Sequence, residues 1–148
     1  MDLNTCKLDA GKLSGGVWWL LSRQPDGTLS AVASRGEHED RPAVLVCPIG
    51  VEYERALEEA PRPYLLEIRD RRLSPADERA ILAQAVAQTL WKGARNLTVG
   101  GQPLVYRVAE AAQMLARPEW TNLLECILRI AQDRAALLAD EEARAAGN

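Results

Sequence analysis

The sequence predicts an α+β fold, in which a small antiparallel β-meander at the N-terminal end is followed by a mainly helical portion of about four helices. Three short runs of β-preferring residues, separated by turn signals, lie within residues 16–48. From residue 49 to residue 140, apolar residues recur every three or four positions, as they do on amphipathic helices. We therefore predict one domain over 1–148, with an irregular arm at 1–15 and a frayed tail at 141–148.

The composition is that of an ordinary globular protein. Of its 148 residues, 47% are hydrophobic and 26% are charged, and the formal net charge is −3. Non-specific binding of nucleic acid needs a concentrated basic surface, so this charge balance argues against it. The N-terminus lacks the apolar run of a signal peptide, and no apolar stretch approaches the roughly 20 residues of a membrane span. We expect a cytoplasmic protein with neither a nucleic-acid nor a membrane partner.

The first predicted strand, V-W-W-L-L-S-R, is apolar on both faces. Val17, Trp19 and Leu21 share one face, and Trp18 and Leu20 share the other. Such a strand is either covered on both sides by the rest of the chain or in contact with a partner. A Gln-Pro-Asp-Gly turn then leads into an alternating run, and a third apolar strand ends at a proline. Together these runs predict the meander.

Helices begin after this meander. Residues 51–60 form the first, and two prolines separate it from a second short helical piece at residues 64–68. Ser74-Pro75 is the clearest helix start, with serine as N-cap and proline at the first helical position. We predict that this helix runs for about 18 residues and ends near Trp91-Lys92-Gly93, because glycine often terminates helices.

The remaining elements surround a glycine pair. Gly100-Gly101 predicts a tight turn between a strand at residues 97–99 and a second arm at 104–106. A short helix at residues 108–116 follows, and Pro118 restarts the chain. The final helix should present one apolar side from Trp120 to Leu138.

No group of residues supports catalysis. His38 is the single histidine, and its loop, E-H-E-D, offers no further ligands at the spacing of a metal site. Arg69, Arg71 and Arg72 form one short basic cluster, which is weak evidence for a phosphate site on an acidic protein. The Gly-Gly turn lacks the lysine of a phosphate-binding loop. We predict that the protein is not an enzyme and that it has no cofactor and no metal.

The cysteines and the apolar residues bear on the redox state and on the presence of a partner surface. Cys6, Cys47 and Cys126 show no CxxC spacing, so we expect reduced thiols. Apolar residues, including four tryptophans, exceed what three strands and four helices need. Such a surplus indicates either a well-filled monomer core or a surface for a partner, and both interpretations stay open.

The order of segments resembles the small tail assembly chaperones of long-tailed phages and prophages. The shared features run from Gly16 to about Leu138. In chain order they are G-V-W-W, P-I-G-V-E-Y-E-R-A-L, P-Y-L-L-E-I-R, W-K-G-A-R-N-L, G-G-Q-P-L-V-Y, A-A-Q-M-L-A-R-P-E-W and a helix ending in Q-D-R-A-A-L. The loop R-G-E-H-E-D-R-P is longer than is usual in that family.

The resemblance implies a protein of the host cell cytoplasm that binds the tape-measure protein, keeps it soluble and helps the tail tube protein polymerise around it. It also implies self-association. Under this interpretation Trp91, Trp120, Leu124 and Leu128 are candidate partner-binding residues, although a place in the core is an equal alternative. The alternative function is a structural virion protein, such as a minor tail or connector component, which would remain in finished particles. A small enzyme is a more distant third hypothesis.

Overall fold

The computed structural model describes the backbone of residues 16–34 and 40–146, and the side chains as far as residue 134. The predicted arm at 1–15, Cys6 and His38 lie outside the described residues. The strands are β1 (Val17–Arg23), β2 (Leu29–Ala33), β3 (Ala43–Val46), β4 (Trp91–Arg95), β5 (Thr98–Val99) and β6 (Gln102–Pro103). The α-helices are α1 (Val51–Glu59), α2 (Leu65–Arg69), α3 (Pro75–Thr89), α4 (Val108–Ala116) and α5 (Thr121–Ala146), and two 3-10 turns span Arg62–Tyr64 and Pro118–Trp120.

The predicted α+β fold with its antiparallel β-meander is confirmed, and the strand order is β2-β1-β3-β4. The first strand is therefore central, because β2 and β3 pair with its two edges. Trp19 lies opposite Ala33 on one side and opposite Val44 on the other. Leu21 and Val44 are buried against the helices, whereas Leu20 is buried on the opposite face. Both faces of β1 are thus covered along part of its length.

The fourth strand corrects the prediction that a helix runs into Trp91-Lys92-Gly93. Helix α3 ends at Thr89, and Trp91–Arg95 is β4, which pairs antiparallel with β3. The predicted helical part, 49–140, therefore contributes a strand to the sheet. The strand conformation comes from pairing with β3, and Gly93 serves close packing in that strand and not helix termination. A Cβ at this position would lie 3.3 Å from atoms of Leu45 and of the Trp18 ring.

Helix α3 organises the core. Its start is capped as predicted, since the Asp77 backbone N–H donates to Ser74 Oγ at 3.1 Å. Small residues along α3 allow α1 and α4 to approach closely, and Val86 and Leu90 are fully buried between them. The core then continues into the buried side of α5, which packs on β2 and β3.

The glycine-pair hairpin is present, but its second arm is wrong in the prediction: β6 (Gln102–Pro103) pairs with β5 directly after the turn, and residues 104–106 are not in a strand. Gly100 and Gly101 have φ values of 57° and 82°, as a primed two-residue turn requires. After this hairpin the chain turns inward at Tyr106. The Tyr106 hydroxyl donates to the Ala87 carbonyl oxygen at 2.8 Å and also contacts the carbonyl oxygen of Trp91. The rings of Tyr106 and Trp91 pack edge to face, with their centroids 5.1 Å apart.

The final helix extends beyond residue 140, because α5 runs from Thr121 to Ala146. The predicted apolar side is buried from Leu123 to Ala131. Its continuation at Leu137 and Leu138 lies outside the described side chains. Among the described helices, none combines the length and the apolar character needed to cross a membrane.

Candidate partner-binding surface

An apolar groove of about 490 Å³ lies between the β1–β2 hairpin, the β5–β6 hairpin and the start of α5. We call it the tryptophan groove, because Trp120 lies in its wall. Its apolar lining comes from elements far apart in sequence, and consists of Leu21, Leu29, Pro42, Leu97, Val99, Leu104, Met114, Trp120 and Leu123. Arg23, Thr98, Glu119 and Asn122 supply the polar groups at the groove.

Two hydrogen bonds hold the β1–β2 hairpin against α5 at one side of this groove. The Asn122 amide donates to the Gly27 carbonyl oxygen at 2.8 Å, and the Arg129 guanidinium donates to the Leu29 carbonyl oxygen at 3.1 Å. Gly27 has a φ of 88°, so the turn that presents its carbonyl requires a residue that tolerates the left-handed region. The groove wall is therefore fixed by side chain to backbone contacts between distant segments.

The 3-10 turn at Pro118–Trp120 sets the position of the tryptophan. Thr121 Oγ1 donates to the Pro118 carbonyl oxygen at 2.6 Å and accepts from the Arg79 guanidinium at 2.7 Å. Because Arg79 belongs to α3, the turn is tied to the central helix. Trp120 remains partly exposed in this arrangement. An amphipathic aromatic side chain held at the edge of an apolar groove is a common anchor in protein interfaces.

The four candidate partner-binding residues are distributed over three places. Trp120 lines the tryptophan groove, and Trp91 is 0% exposed in the core, where its indole N–H donates to the Gly93 carbonyl oxygen at 2.9 Å. Leu124 and Leu128 line a second groove of about 300 Å³ between α3 and α5, which we call the leucine groove. Leu124 is only 5% exposed and forms the floor, while Leu128 is partly exposed.

A surface that the sequence did not single out lies on the short helix α2. Leu65 is 60% exposed, Leu66 is 64% exposed and Ile68 is 41% exposed. We call these three residues the α2 patch. The sequence signal was the apolar content of P-Y-L-L-E-I-R between prolines and arginines, but five helical residues are too few to show which side faces the core. Contiguous exposed apolar residues of this kind mark partner surfaces on soluble proteins.

Burial shifts the pKa values of several described side chains. Burial raises the pKa of the Cys47 and Cys126 thiols, which keeps them protonated and weakly nucleophilic at neutral pH. Burial also raises the pKa of Tyr106 to about 12. Within residues 16–34 and 40–146, no group of three or more histidine, cysteine, aspartate or glutamate side chains is placed to hold a metal ion.

In a comparison with protein-family models, residues 49–148 match the family described as YdaY prophage protein. The match covers about two thirds of the chain, from Ile49, two residues before α1, to residue 148. Searches of curated proteins and of solved structures found no match. The matched region includes Trp120, the leucine groove and the α2 patch, whereas β1, β2 and β3 lie outside it.

Proposed function

This chain belongs to the YdaY family of prophage proteins, and from that premise we propose that it is a tail assembly chaperone. In this role it binds and solubilises the tape-measure protein in the host cytoplasm and promotes assembly of the tail tube protein around it. The proposal assigns binding and no catalytic step. The family supplies the phage context, and the choice of client rests on the resemblance of the sequence to tail assembly chaperones.

The tryptophan groove is the observation that carries this proposal. Its volume of about 490 Å³ lies in the range of specific binding pockets, and its lining is mainly apolar. A long helical client presents an apolar stripe at three- and four-residue spacing, and such a stripe binds in apolar grooves. Trp120 supplies an anchor, and Arg23 and Glu119 at the groove can pair with the charged flanks of a client helix.

The charge of the chain suits the same role. A tape-measure protein is long and helical, and its apolar stripe promotes aggregation until the tube encloses it. A chaperone that covers this stripe must keep the complex soluble. A chain with 26% charged residues and a net charge of −3 supplies a solvated exterior for that purpose.

Co-expression with the tape-measure protein of the same prophage tests the proposal. We expect the client to be insoluble alone and soluble when co-expressed, and to co-purify with this chain. Trp120→Ala should weaken the complex about 30-fold or more, as expected for an aromatic interface anchor. Val51→Ser is the matched control, because Val51 is 62% exposed on α1 and does not line the groove.

Two results would count against the chaperone role. If the client stays insoluble when co-expressed with the wild-type chain, this chain does not solubilise it, and the chaperone role is refuted. A client that binds equally well to Trp120→Ala would move the binding site away from the tryptophan groove. Purified phage particles give a further check, since a chaperone should be missing from them and a structural virion protein should be present at constant stoichiometry.

A further inference from the structure

The α2 patch combines an apolar centre with basic surroundings. Residues 62–72 contain four arginines and two acidic residues, which gives a charge of +2. The whole chain has a net charge of −3, so the remainder carries −5. Next to the patch, Arg69 Nε lies 3.6 Å from Asp70 Oδ1 in an ion pair. This pair is solvent-exposed, so it neutralises little of the positive charge of residues 62–72. Residues 62–72 are therefore a basic segment with exposed apolar residues in a chain that is acidic elsewhere.

Backbone hydrogen bonds hold the C-terminal end of the short helix α2 in a defined conformation. The Arg72 backbone N–H donates to the Glu67 carbonyl oxygen at 2.7 Å, and Arg71 between them has a φ of 57°. This is the closing geometry of a helix that ends in a left-handed residue, a position usually taken by glycine. An arginine at that position keeps a positive side chain beside the apolar residues of α2.

The leucine groove has the complementary properties. Its apolar surface comes from Leu82, Leu124 and Leu128, and the exposed carboxylates of Glu78 and Glu125 lie at its rim. The one basic residue of its lining is Arg79, whose guanidinium is engaged with Thr121 Oγ1 at 2.7 Å. The groove is thus concave and apolar with acidic residues at its edge, whereas the α2 patch is exposed and apolar with arginines next to it in sequence.

We propose that the α2 patch of one copy of this chain docks in the leucine groove of a second copy. Every copy carries both halves of the contact, so it is a heterologous contact, which can close into a ring or propagate. Apolar side chains supply the affinity, and opposite charges at the margin select the orientation. This surface is separate from the tryptophan groove. The inference rests on the proposed chaperone role, which implies self-association, and it names the two surfaces that associate, so it is tested on the purified chain alone.

Sedimentation velocity of the full chain over a wide concentration range is the first measurement. We expect reversible association in the wild type. Leu66→Glu should weaken it about tenfold or more, because it places a charge in an apolar contact. Leu128→Glu should do the same from the groove side. Val51→Glu is the control for a charge added to an exposed apolar position on α1, and it should leave association unchanged.

Mixing the two impaired variants makes the test specific. The Leu66→Glu copy retains an intact groove and the Leu128→Glu copy retains an intact patch, so an equimolar mixture should form a heterodimer through one restored contact. Neither variant alone should do so. A charge exchange checks the rim independently: Glu125→Arg should weaken association, and Arg69→Glu added to it should recover part of the loss. Raising the salt concentration to about 1 M should weaken the wild-type contact through screening.

Three outcomes would overturn the inference. One is a wild-type chain that stays monomeric at every concentration. Another is a mixture that shows no heterodimer although both variants retain the wild-type circular dichroism spectrum and unfolding transition. The third is a monomeric wild type whose Leu66→Glu variant loses the co-expressed tape-measure protein, which would assign the α2 patch to the client. None of these results depends on the behaviour of Trp120→Ala, so failure of this contact and failure of the chaperone role are distinguishable.

Discussion

Removal of the Tyr106 hydroxyl should destabilise the fold in a manner that depends on pH. This hydroxyl contacts the carbonyl oxygens of Ala87 and Trp91, and so it ties the end of α3 and the start of β4 to the segment before α4. Tyr106→Phe keeps the aromatic ring and its edge-to-face contact with Trp91. We expect the free energy of unfolding to fall by about 1–2 kcal/mol near pH 8, because partly buried carbonyl groups lose a donor.

The pH dependence follows from the raised pKa. Burial, with a smaller contribution from Cys47, raises the pKa of Tyr106 from 10.0 to about 12. The folded value lies above the unfolded value, so the contribution of the neutral hydroxyl is fully present below pH 10 and is lost as the pH rises toward 12. Two pKa units correspond to about 2.7 kcal/mol, and partial exposure of the side chain reduces the expected effect to about 1–2 kcal/mol.

Urea unfolding of the wild type and of Tyr106→Phe, at about pH 8 and about pH 11, measures both quantities. The difference in free energy of unfolding between the two proteins should shrink by roughly 1 kcal/mol between these pH values. Other groups that titrate in this range, such as Tyr53, are shared by both proteins and cancel in the difference. A difference that stays constant with pH would contradict the buried hydroxyl, and no difference at pH 8 would contradict the hydrogen bonds.

Three further changes test individual elements. Gly93→Val should lower the free energy of unfolding by about 1–3 kcal/mol, since a Cβ there already meets neighbouring side chains at 3.3 Å; equal or higher stability in urea would refute the packing argument. Ser74→Ala should cost about 1 kcal/mol through loss of the α3 cap, and an unchanged urea midpoint would contradict the cap. Asn122→Ala should speed amide hydrogen exchange in residues 24–30 and lower recovery of the client, because the hairpin loses its tie to α5; unaltered exchange there would show that the tie is dispensable.

Local signals explain the parts of the fold that could be predicted. The Ser74 cap and the Gly100-Gly101 turn each depend on residues adjacent in sequence, and both were predicted at their observed positions. Strand β4 could not be predicted in this way. W-K-G-A-R has no alternation of apolar residues, and its conformation is set by pairing with β3, which lies more than 40 residues earlier. Long-range pairing overrode the local terminator signal of Gly93.

A residue of the candidate surface could be predicted only where both its type and its neighbours in sequence indicated an exposed position. Trp120 follows a proline that restarts the chain, and it lies in the wall of the tryptophan groove. Trp91 has the same residue type but belongs to a strand that the sequence did not reveal, and it is core. The α2 patch escaped notice because burial depends on what packs against a short helix, and sequence periodicity does not report that over five residues.

The pairing of β3 with β4 joins the region matched by the family model to the region outside it. The hydrogen bonds between paired strands are made by backbone groups. Strand β4 therefore requires an extended neighbour, but its pairing depends little on the identity of that neighbour's side chains. Substitutions on β3 that keep its extended conformation should therefore leave this pairing intact. Complete removal of the residues before α1 is different, because β4 would become an open edge next to a fully buried tryptophan. In this chain, the N-terminal strands therefore give β4 a hydrogen-bonded neighbour and remove an open edge beside the core.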